Sequence, residues 1–238
     1  MQRPAVDGSP GAGGPPGAAA AAPKLAFAVE EGGVLQHSVG PTLCFALRVG
    51  AGDGVAVRSV ALNVELRLAA TRRRHDAREE RRLVELFGPV EQWGRSLTTL
   101  HWATTTLQVP PFTGSALVDL HVPCTYDLEV TASKYLDALA DGTVPLEFLF
   151  SGTVFYAGSG GLLQVARIDW ESEAAYDLPV AVWREMMDRH FPDSSWLRLR
   201  RDQFDRLATY RAGNALLTWE ATVDALLDAA ARDEEHRS

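Results

Sequence analysis

The sequence feature that most constrains the fold is a two-residue alternation of apolar with smaller or polar side chains between residues 59 and 68. Its apolar members are Val60, Leu62, Val64, Leu66 and Leu68. Because successive side chains of a strand point to opposite faces, the alternation predicts a half-buried antiparallel strand with one face toward water. A chain of 238 residues, 46% of them hydrophobic, is long enough to bury such faces in a sizeable core.

Other segments with strand character flank this run and are separated by glycine and proline turns. The further predicted strands cover residues 25–30, 43–49, 97–108, 115–122, 126–132, 145–157 and 162–169. Seven or eight strands without alternating helices are typical of an antiparallel β-sandwich rather than a doubly wound parallel sheet. Short helices are predicted at residues 77–87 and Ser133–Leu139.

Two turns that contain glycine predict hairpins within this sandwich. The loop Gly50–Gly54 supplies the positive φ angles that would let the strand before it pair with the strand at 59–68. The turn Pro110–Gly114 likewise predicts that the strands at 97–108 and 115–122 pair with each other.

Beyond Trp170 the apolar spacing changes to the 3.6-residue period of helices. Three helices are predicted, one from Pro179 to about Phe191, one over about Arg200–Ala212, and one capped by Thr218. We therefore predict an α+β protein with three segments. These are a disordered Pro/Gly/Ala-rich tail at 1–23, a β-sandwich domain at 24–170, and a C-terminal three-helix segment at 171–238 packed on the sandwich.

The charge of the chain limits the classes of partner. Asp and Glu number 31 against 23 Lys and Arg, which gives a formal charge of −8. An acidic chain does not favour general nucleic-acid binding or attraction to anionic membranes. The N-terminus has no leucine-rich secretory signal, and no apolar run approaches the roughly 20 residues of a membrane span, so we expect a cytoplasmic protein.

The two cysteines do not indicate a disulfide framework or a metal knuckle, because Cys44 and Cys124 lie far apart in the sequence. Each has apolar neighbours, and we interpret both as small buried hydrophobic residues. A disulfide between them, or a reactive thiol, is the alternative interpretation.

His101 and His121 are the strongest candidates for chemistry. If the second predicted hairpin forms, the two imidazoles face each other, with Asp119 two residues before His121. Two imidazoles and a carboxylate can bind a transition metal or transfer protons. The alternative is two histidines on the polar face of a sheet, because a slip of one residue in the pairing removes the alignment.

Two groups of residues are candidate protein-contact positions. Arg72, Arg73 and Arg74 begin a segment of six arginines that has interleaved acidic residues and no aromatic residue for base stacking. The alternative for these arginines is a solvated helix start. The second group is the tryptophans of the C-terminal third, Trp183, Trp196 and Trp219. Aromatic side chains often anchor interfaces, and their alternative role is burial against the sheet.

The sequence contains no motif that indicates catalysis or nucleotide binding. Neither glycine cluster, Gly50–Gly54 or Gly158–Gly161, has the spacing of a dinucleotide-binding loop or leads into a helix that would hold phosphate. A nucleophile elbow, a zinc-protease helix and a Walker lysine loop are also missing from the sequence. We therefore predict a protein that is not an enzyme and binds no cofactor.

The C-terminal third carries a distinctive run, Leu178–Pro192, which is followed by Ser195–Leu199 and Asp202–Leu207. These segments resemble an uncharacterised actinobacterial family, a domain of unknown function that covers most of the chain after the Pro/Gly/Ala tail. The resemblance implies gene neighbourhoods that include nickel–iron hydrogenase genes, and so an accessory or assembly role rather than a hydrogenase subunit. A sequence without Cys-x-x-Cys pairs fits an accessory protein that holds no metal cluster.

Together these patterns predict a non-enzymatic accessory protein that binds another protein and neither nucleic acid nor membrane. The fold class supports this prediction only by association, because sandwiches commonly serve as binding platforms. The alternative is a small-ligand or metal-binding protein, including an enzyme, with its site at His101 and His121.

Overall fold

The computed structural model describes residues 22–52, 54–124, 130–158, 161–192 and 199–236. The chain divides into two compact units, residues 1–192 and residues 193–238. The predicted boundary after Trp170 therefore lies inside the first unit, because a further strand and a helix that follow it pack on the sandwich.

The described part of the first unit contains nine strands. In chain order they are β1 (Leu25–Val34), β2 (Thr42–Ala51), β3 (Ala56–Leu68), β4 (Leu100–Val109), β5 (Phe112–Thr113), β6 (Ser115–Pro123), β7 (Thr143–Ala157), β8 (Leu163–Arg167) and β9 (Glu173–Pro179). Three form one antiparallel sheet in the order β1-β2-β6. The others form a second sheet along the path β4-β3-β7-β8, with β5 paired to β3 and β9 paired to β7. The predicted α+β fold, mainly antiparallel strands followed by helices, is confirmed.

Six α-helices are described. They are α1 (Ala77–Phe87), α2 (Trp93–Ser96), α3 (Val130–Ala138), α4 (Val180–His190), α5 (Arg201–Gly213) and α6 (Trp219–Glu235). The last three match the predicted C-terminal helices, and α1 matches the predicted helix at 77–87. Asp76 begins α1 by accepting hydrogen bonds from the N–H groups of Arg78 and Glu79, at 2.7 and 2.8 Å. Across the described ranges, each helix is too short or too polar to cross a bilayer.

The core lies between the two sheets, where the alternation places its apolar residues. All five apolar residues of the run at 60–68 are at most 1% exposed. Aromatic rings from both sheets meet there, with Phe27 stacked on Phe150 at 4.2 Å and Phe45 edge-to-face with Phe148 at 5.2 Å between ring centroids. Side chains from both sheets therefore pack against each other in this core.

Both predicted hairpins are wrong, because each turn carries the chain from one sheet to the other. β2 pairs with β1 and β6, whereas β3 pairs with β4, β5 and β7. The turn after β4 likewise leads through β5 into β6 of the opposite sheet. The two crossings are adjacent, since the Ala51 N–H donates to the Gly114 carbonyl at 2.7 Å. Glycine permits the positive φ found at Gly54 and Gly114, but it does not determine which sheet the next strand joins.

Further segments differ from the prediction, including α2 and β5, which have no predicted counterparts. Residues 130–132, part of the strand predicted at 126–132, begin α3 instead, and residues 125–129 lie outside the described ranges. β9 has no counterpart among the predicted strands, although its sequence also alternates and buries Leu178. Tyr176 on β9 joins the two sheets, because its hydroxyl accepts a hydrogen bond from the Gly32 N–H of β1 at 2.9 Å.

Candidate functional site

The structure does not pair His101 with His121 across a hairpin, because β4 and β6 belong to different sheets. The His101 side chain is more than half exposed, and its Nδ1 lies 3.5 Å from Oε1 of Glu65 on β3. A hydrogen bond from Arg67 lowers the pKa of the Glu65 carboxyl, and His101 lowers this pKa further. His101 therefore belongs to an exposed charged group on the outer face of the six-stranded sheet.

His121 and Asp119 instead meet Cys44. Cys44 lies directly opposite His121 in the pairing of β2 with β6, and Asp119 precedes His121 by two residues on the same face. The Cys44 Sγ, an Asp119 carboxylate oxygen and a His121 ring nitrogen all lie within 4.8 Å of one another. Cys44 is half-buried, while Asp119 and His121 are exposed. Burial raises the pKa of the Cys44 thiol, and the charge of Asp119 raises it further.

The interpretation of both cysteines as buried residues is correct for Cys124 and wrong for Cys44. Cys124 is buried near the end of β6, and no disulfide joins it to Cys44. Leu43 and Phe45 point into the core, so the two-residue alternation of β2 turns Cys44 outward. The two-residue alternation of β2 therefore indicates the outward orientation of Cys44. The apolar character of its neighbours alone indicates burial instead.

The three candidate arginines have different environments. Arg72 is exposed, with its Nη1 3.7 Å from Oε1 of Glu147, and Arg74 is also exposed. The side chain of Arg73 is only 10% exposed and points inward to Glu79. The prediction that Arg73 offers a surface contact is therefore wrong, and the three residues do not form a common patch.

Glu79 is the only buried charged residue in the described part of the chain, and Arg73 neutralises it. Its Oε1 accepts hydrogen bonds from Nη2 of Arg73 and from the N–H of Ala140, both at 2.7 Å. Arg73 also donates to the carbonyls of Asp141 and Thr143. The pair therefore ties the start of α1 to the loop between α3 and β7, which is a structural role.

His75 lies beside this buried pair. Its Nε2 is 3.0 Å from the Tyr135 hydroxyl, and its ring meets Trp93 edge-to-face with centroids 5.4 Å apart. Desolvation by burial lowers the pKa of His75, and Arg73 adds to the lowering against the opposing effect of nearby carboxylates. The folded protein therefore favours neutral His75.

We expect His75 to make stability depend on pH. The unfolded chain binds a proton at His75 more readily than the folded chain does. The contribution of neutral His75 is thus complete above about pH 6.5 and is lost as the pH falls below that value. The free energy of unfolding of His75→Gln should consequently fall less than that of the wild type between about pH 7.5 and about pH 5.5. Urea unfolding at both pH values measures this difference, and an equal loss in the two proteins would contradict it.

The three candidate tryptophans also differ in how the structure places them. Trp183 is 2% exposed, its Nε1 donates to Oδ1 of Asp137 at 2.9 Å, and its ring meets Trp102 edge-to-face at 6.2 Å. The structure contradicts the prediction of Trp183 as a contact residue and supports the alternative, burial in the core, because Trp183 anchors α4 within the first unit. Trp196 lies outside the described residues, and Trp219 is half-buried at the start of α6.

The α5–α6 unit (residues 199–236 of the described chain) holds an open groove of about 810 Å³. Its lining residues are Leu199, Arg201, Phe204, Asp205, Leu207, Trp219, Glu220, Val223 and Asp224. The Phe204 and Trp219 rings meet at 5.3 Å between centroids. Phe204 and Val223 are 46% and 43% exposed. The groove therefore presents apolar side chains to solvent.

Arg211 holds the turn between the two helices. Its guanidinium lies over the Trp219 ring, 4.5 Å from the centroid, and donates to the carbonyls of Leu216 and Leu217. Thr218 then caps α6, because its Oγ1 accepts a hydrogen bond from the Ala221 N–H at 3.1 Å. These contacts set the position of Trp219 at the groove without burying the apolar side chains around it.

Residues 22–235 match the Family of unknown function (DUF6084). The chain belongs to this family. The predicted resemblance to an uncharacterised family is confirmed to that extent. The match to DUF6084 spans both compact units, so the α5–α6 unit is part of the family's domain.

Comparison with curated proteins found no match. Similar solved structures include β-glucosidase 3B from Thermotoga neapolitana in complex with α-D-glucose (13% identity, TM-score 0.24) and a Se-Met labelled β-glucosidase from Kluyveromyces marxianus (10% identity, TM-score 0.22). Each alignment covers 65% of this chain but only 17% and 15% of the respective β-glucosidase chains. Superpositions of this quality do not indicate a shared activity.

Proposed function

We propose that this DUF6084 protein is a non-enzymatic accessory protein that binds another protein through its α5–α6 unit. The observation that carries the proposal is the apolar surface that these two helices expose. Over Arg201–Gly213 no residue is buried, and over Trp219–Glu235 only Thr222 is buried. Contiguous exposed apolar side chains mark protein-contact surfaces on folded proteins.

The groove in the α5–α6 unit suits the insertion of apolar side chains from a partner. Its volume of about 810 Å³ falls within the range of pockets that bury ligand groups. Phe204 and Trp219 supply aromatic surface at its centre, and such residues dominate the binding energy of many interfaces. Leu226 and Leu227 extend the apolar surface along α6, at 37% and 63% exposure.

The charged residues that line the groove indicate the charge of the partner segment that it would bind. Asp205, Glu220 and Asp224 line it against the single cation Arg201. Opposite charges across an interface guide association and fix its register. We therefore propose an amphipathic helical segment whose apolar side chains are flanked by lysine or arginine.

Affinity capture by the tagged full chain from native cells, followed by mass spectrometry, tests the proposal. The groove variant Phe204→Ala/Val223→Ala is compared with Leu163→Ala/Val165→Ala, which removes similarly exposed apolar groups from β8. We expect one protein to be captured by the wild type and the β8 variant. Its recovery should fall at least about tenfold with the groove variant, since truncating an interface hot spot costs about 2 kcal/mol or more. Equal recovery with the groove variant would contradict the proposal.

A finer proposal concerns the process and place in which the protein acts. The resemblance carried by Leu178–Pro192 supports an accessory role in the assembly or function of a nickel–iron hydrogenase in an actinobacterial cytoplasm. The same capture experiment tests this role, because the captured protein should then be a hydrogenase subunit or maturation protein. Selective capture of an unrelated protein would overturn the hydrogenase link and leave the binding surface supported.

A further inference from the structure

We propose that Cys44, Asp119 and His121 form a binding site for a zinc-type transition-metal ion on the outer face of the three-stranded sheet. All three residues belong to the first compact unit, and the site replaces the predicted pairing of His121 with His101. It uses two residues of β6 and one of β2, whose ligand atoms lie within 4.8 Å of one another.

The distances in the cluster are close to those of a bound metal. Tetrahedral zinc with bonds of about 2.0–2.3 Å holds its ligand atoms about 3.3–3.8 Å apart. The observed limit of 4.8 Å exceeds this range by only about 1 Å, which side-chain torsions can supply at exposed residues. Metal binding therefore requires no movement of the two strands.

The backbone that carries Cys44 is held on both sides, whereas Asp119 and His121 lie on β6, the edge strand of this sheet, and are held through its pairing with β2. β2 is the central strand of its sheet, with β1 paired to one edge and β6 to the other. Cys44 lies between Leu43 and Phe45, both 0% exposed, so its outward orientation is set by the core. The direct pairing of Cys44 with His121 follows from the same register.

The donor atoms select the class of metal. A thiolate, an imidazole and a carboxylate are ligands that zinc accepts together, whereas magnesium and calcium require oxygen ligands. Three protein ligands leave a fourth position of the tetrahedron for water or for a group from another molecule. The proposed ligand is thus a divalent ion of the zinc type with one exchangeable position.

The surroundings of the cluster also favour a cation. Ala46 separates Asp119 from a second carboxylate, Glu31, along the same row of the sheet. Arg48, which lies further along the outer face of β2, is already paired with Glu30. Within the ranges that the structure describes, the side chains of Asp119 and His121 make no hydrogen bond or salt bridge with another residue. Both side chains are therefore available as ligands.

Titration of the reduced, untagged full chain with Zn²⁺ and with Co²⁺ tests the site. We expect a single ion per chain by calorimetry. A thiolate-to-cobalt charge-transfer absorption should accompany Co²⁺ binding, because Cys44 supplies the sulfur. Cys44→Ser should abolish this absorption, and His121→Ala and Asp119→Asn should each lower Zn²⁺ affinity at least about tenfold, as loss of groups in metal sites commonly does.

Two matched controls keep the test specific. His101→Ala removes an exposed histidine of the other sheet, and Cys124→Ala removes the second cysteine. Both should leave the stoichiometry, the affinity and the cobalt absorption unchanged. Absence of Zn²⁺ binding by the wild type would overturn the proposal. So would a cobalt absorption retained in Cys44→Ser, or an equal loss of affinity in His101→Ala and His121→Ala.

Discussion

Replacing Glu79 with alanine is expected to lower the free energy of unfolding by about 3–5 kcal/mol, because removing one member of a buried ion pair leaves the other charge uncompensated. The side chains of Glu79 and Arg73 are 2% and 10% exposed, so water does not replace the lost partner. The Nε of Arg73 is already buried without a hydrogen-bond partner, which makes its guanidinium more dependent on Glu79. The Ala140 N–H would also lose its acceptor. Chemical unfolding followed by tryptophan fluorescence measures the loss.

Two control variants distinguish the effect of breaking the buried ion pair from the effect of removing a charged side chain elsewhere. The double variant Arg73→Met/Glu79→Leu should be more stable than Glu79→Ala, because it leaves no charge in the interior. Glu85→Ala removes an exposed glutamate on α1 that pairs with exposed Lys134, and it should cost at most about 1 kcal/mol. A loss for Glu79→Ala no larger than that for Glu85→Ala would contradict the structural role of the pair.

Replacing Gly152 with alanine is expected to cost about 3 kcal/mol or more, because the residue combines a strained backbone with a steric overlap. Its φ of +139° lies in a region that side chains with a Cβ rarely adopt. An added Cβ would also lie 2.1 Å from the carbonyl oxygen of Ala61 on β3. Because β3 and β7 are central strands of the larger sheet, neither can shift without disturbing its other neighbours. Thermal unfolding measures this loss, and the midpoint temperature should fall in proportion to the lost free energy of unfolding.

Gly33→Ala is the matched control for this prediction. Gly33 also lies in a strand, but its φ is not positive and an added Cβ would meet no atom within 4 Å. Its substitution should change the free energy of unfolding by at most about 0.5 kcal/mol. Equal effects of the two substitutions would show that neither the φ of Gly152 nor its contact with Ala61 controls stability.

The strands were predictable from the sequence to the extent that they depend on local alternation. The run at 60–68 has the buried face that its pattern indicates, and the three C-terminal helices follow their 3.6-residue period. Pairing partners were not predictable in this way, because they depend on contacts between distant segments. The loop Gly50–Gly54 has the composition of a hairpin turn, yet it connects two sheets.

Prediction of the candidate sites was limited in the same way, because the sites also depend on contacts between distant segments. The outward orientation of Cys44 follows from its buried neighbours, but its meeting with His121 depends on the register of β2 with β6. Trp183 and Trp219 both lie on amphipathic helices. The sequence does not indicate which of the two side chains is buried. The structure buries Trp183 against Trp102 and leaves Trp219 half-buried beside an open groove.

Photo-crosslinking from the groove tests most directly whether the α5–α6 unit binds another protein. A photoreactive benzoylphenylalanine replaces Phe204 in one version of the full chain and Val165 of β8 in another, and both are expressed in native cells. Both positions are exposed, so the unnatural side chain should be tolerated at each. We expect irradiation to give a covalent adduct with a second protein from position 204 and none from position 165. No adduct from position 204, or equal adducts from both positions, would contradict the assignment of the α5–α6 unit as the binding surface.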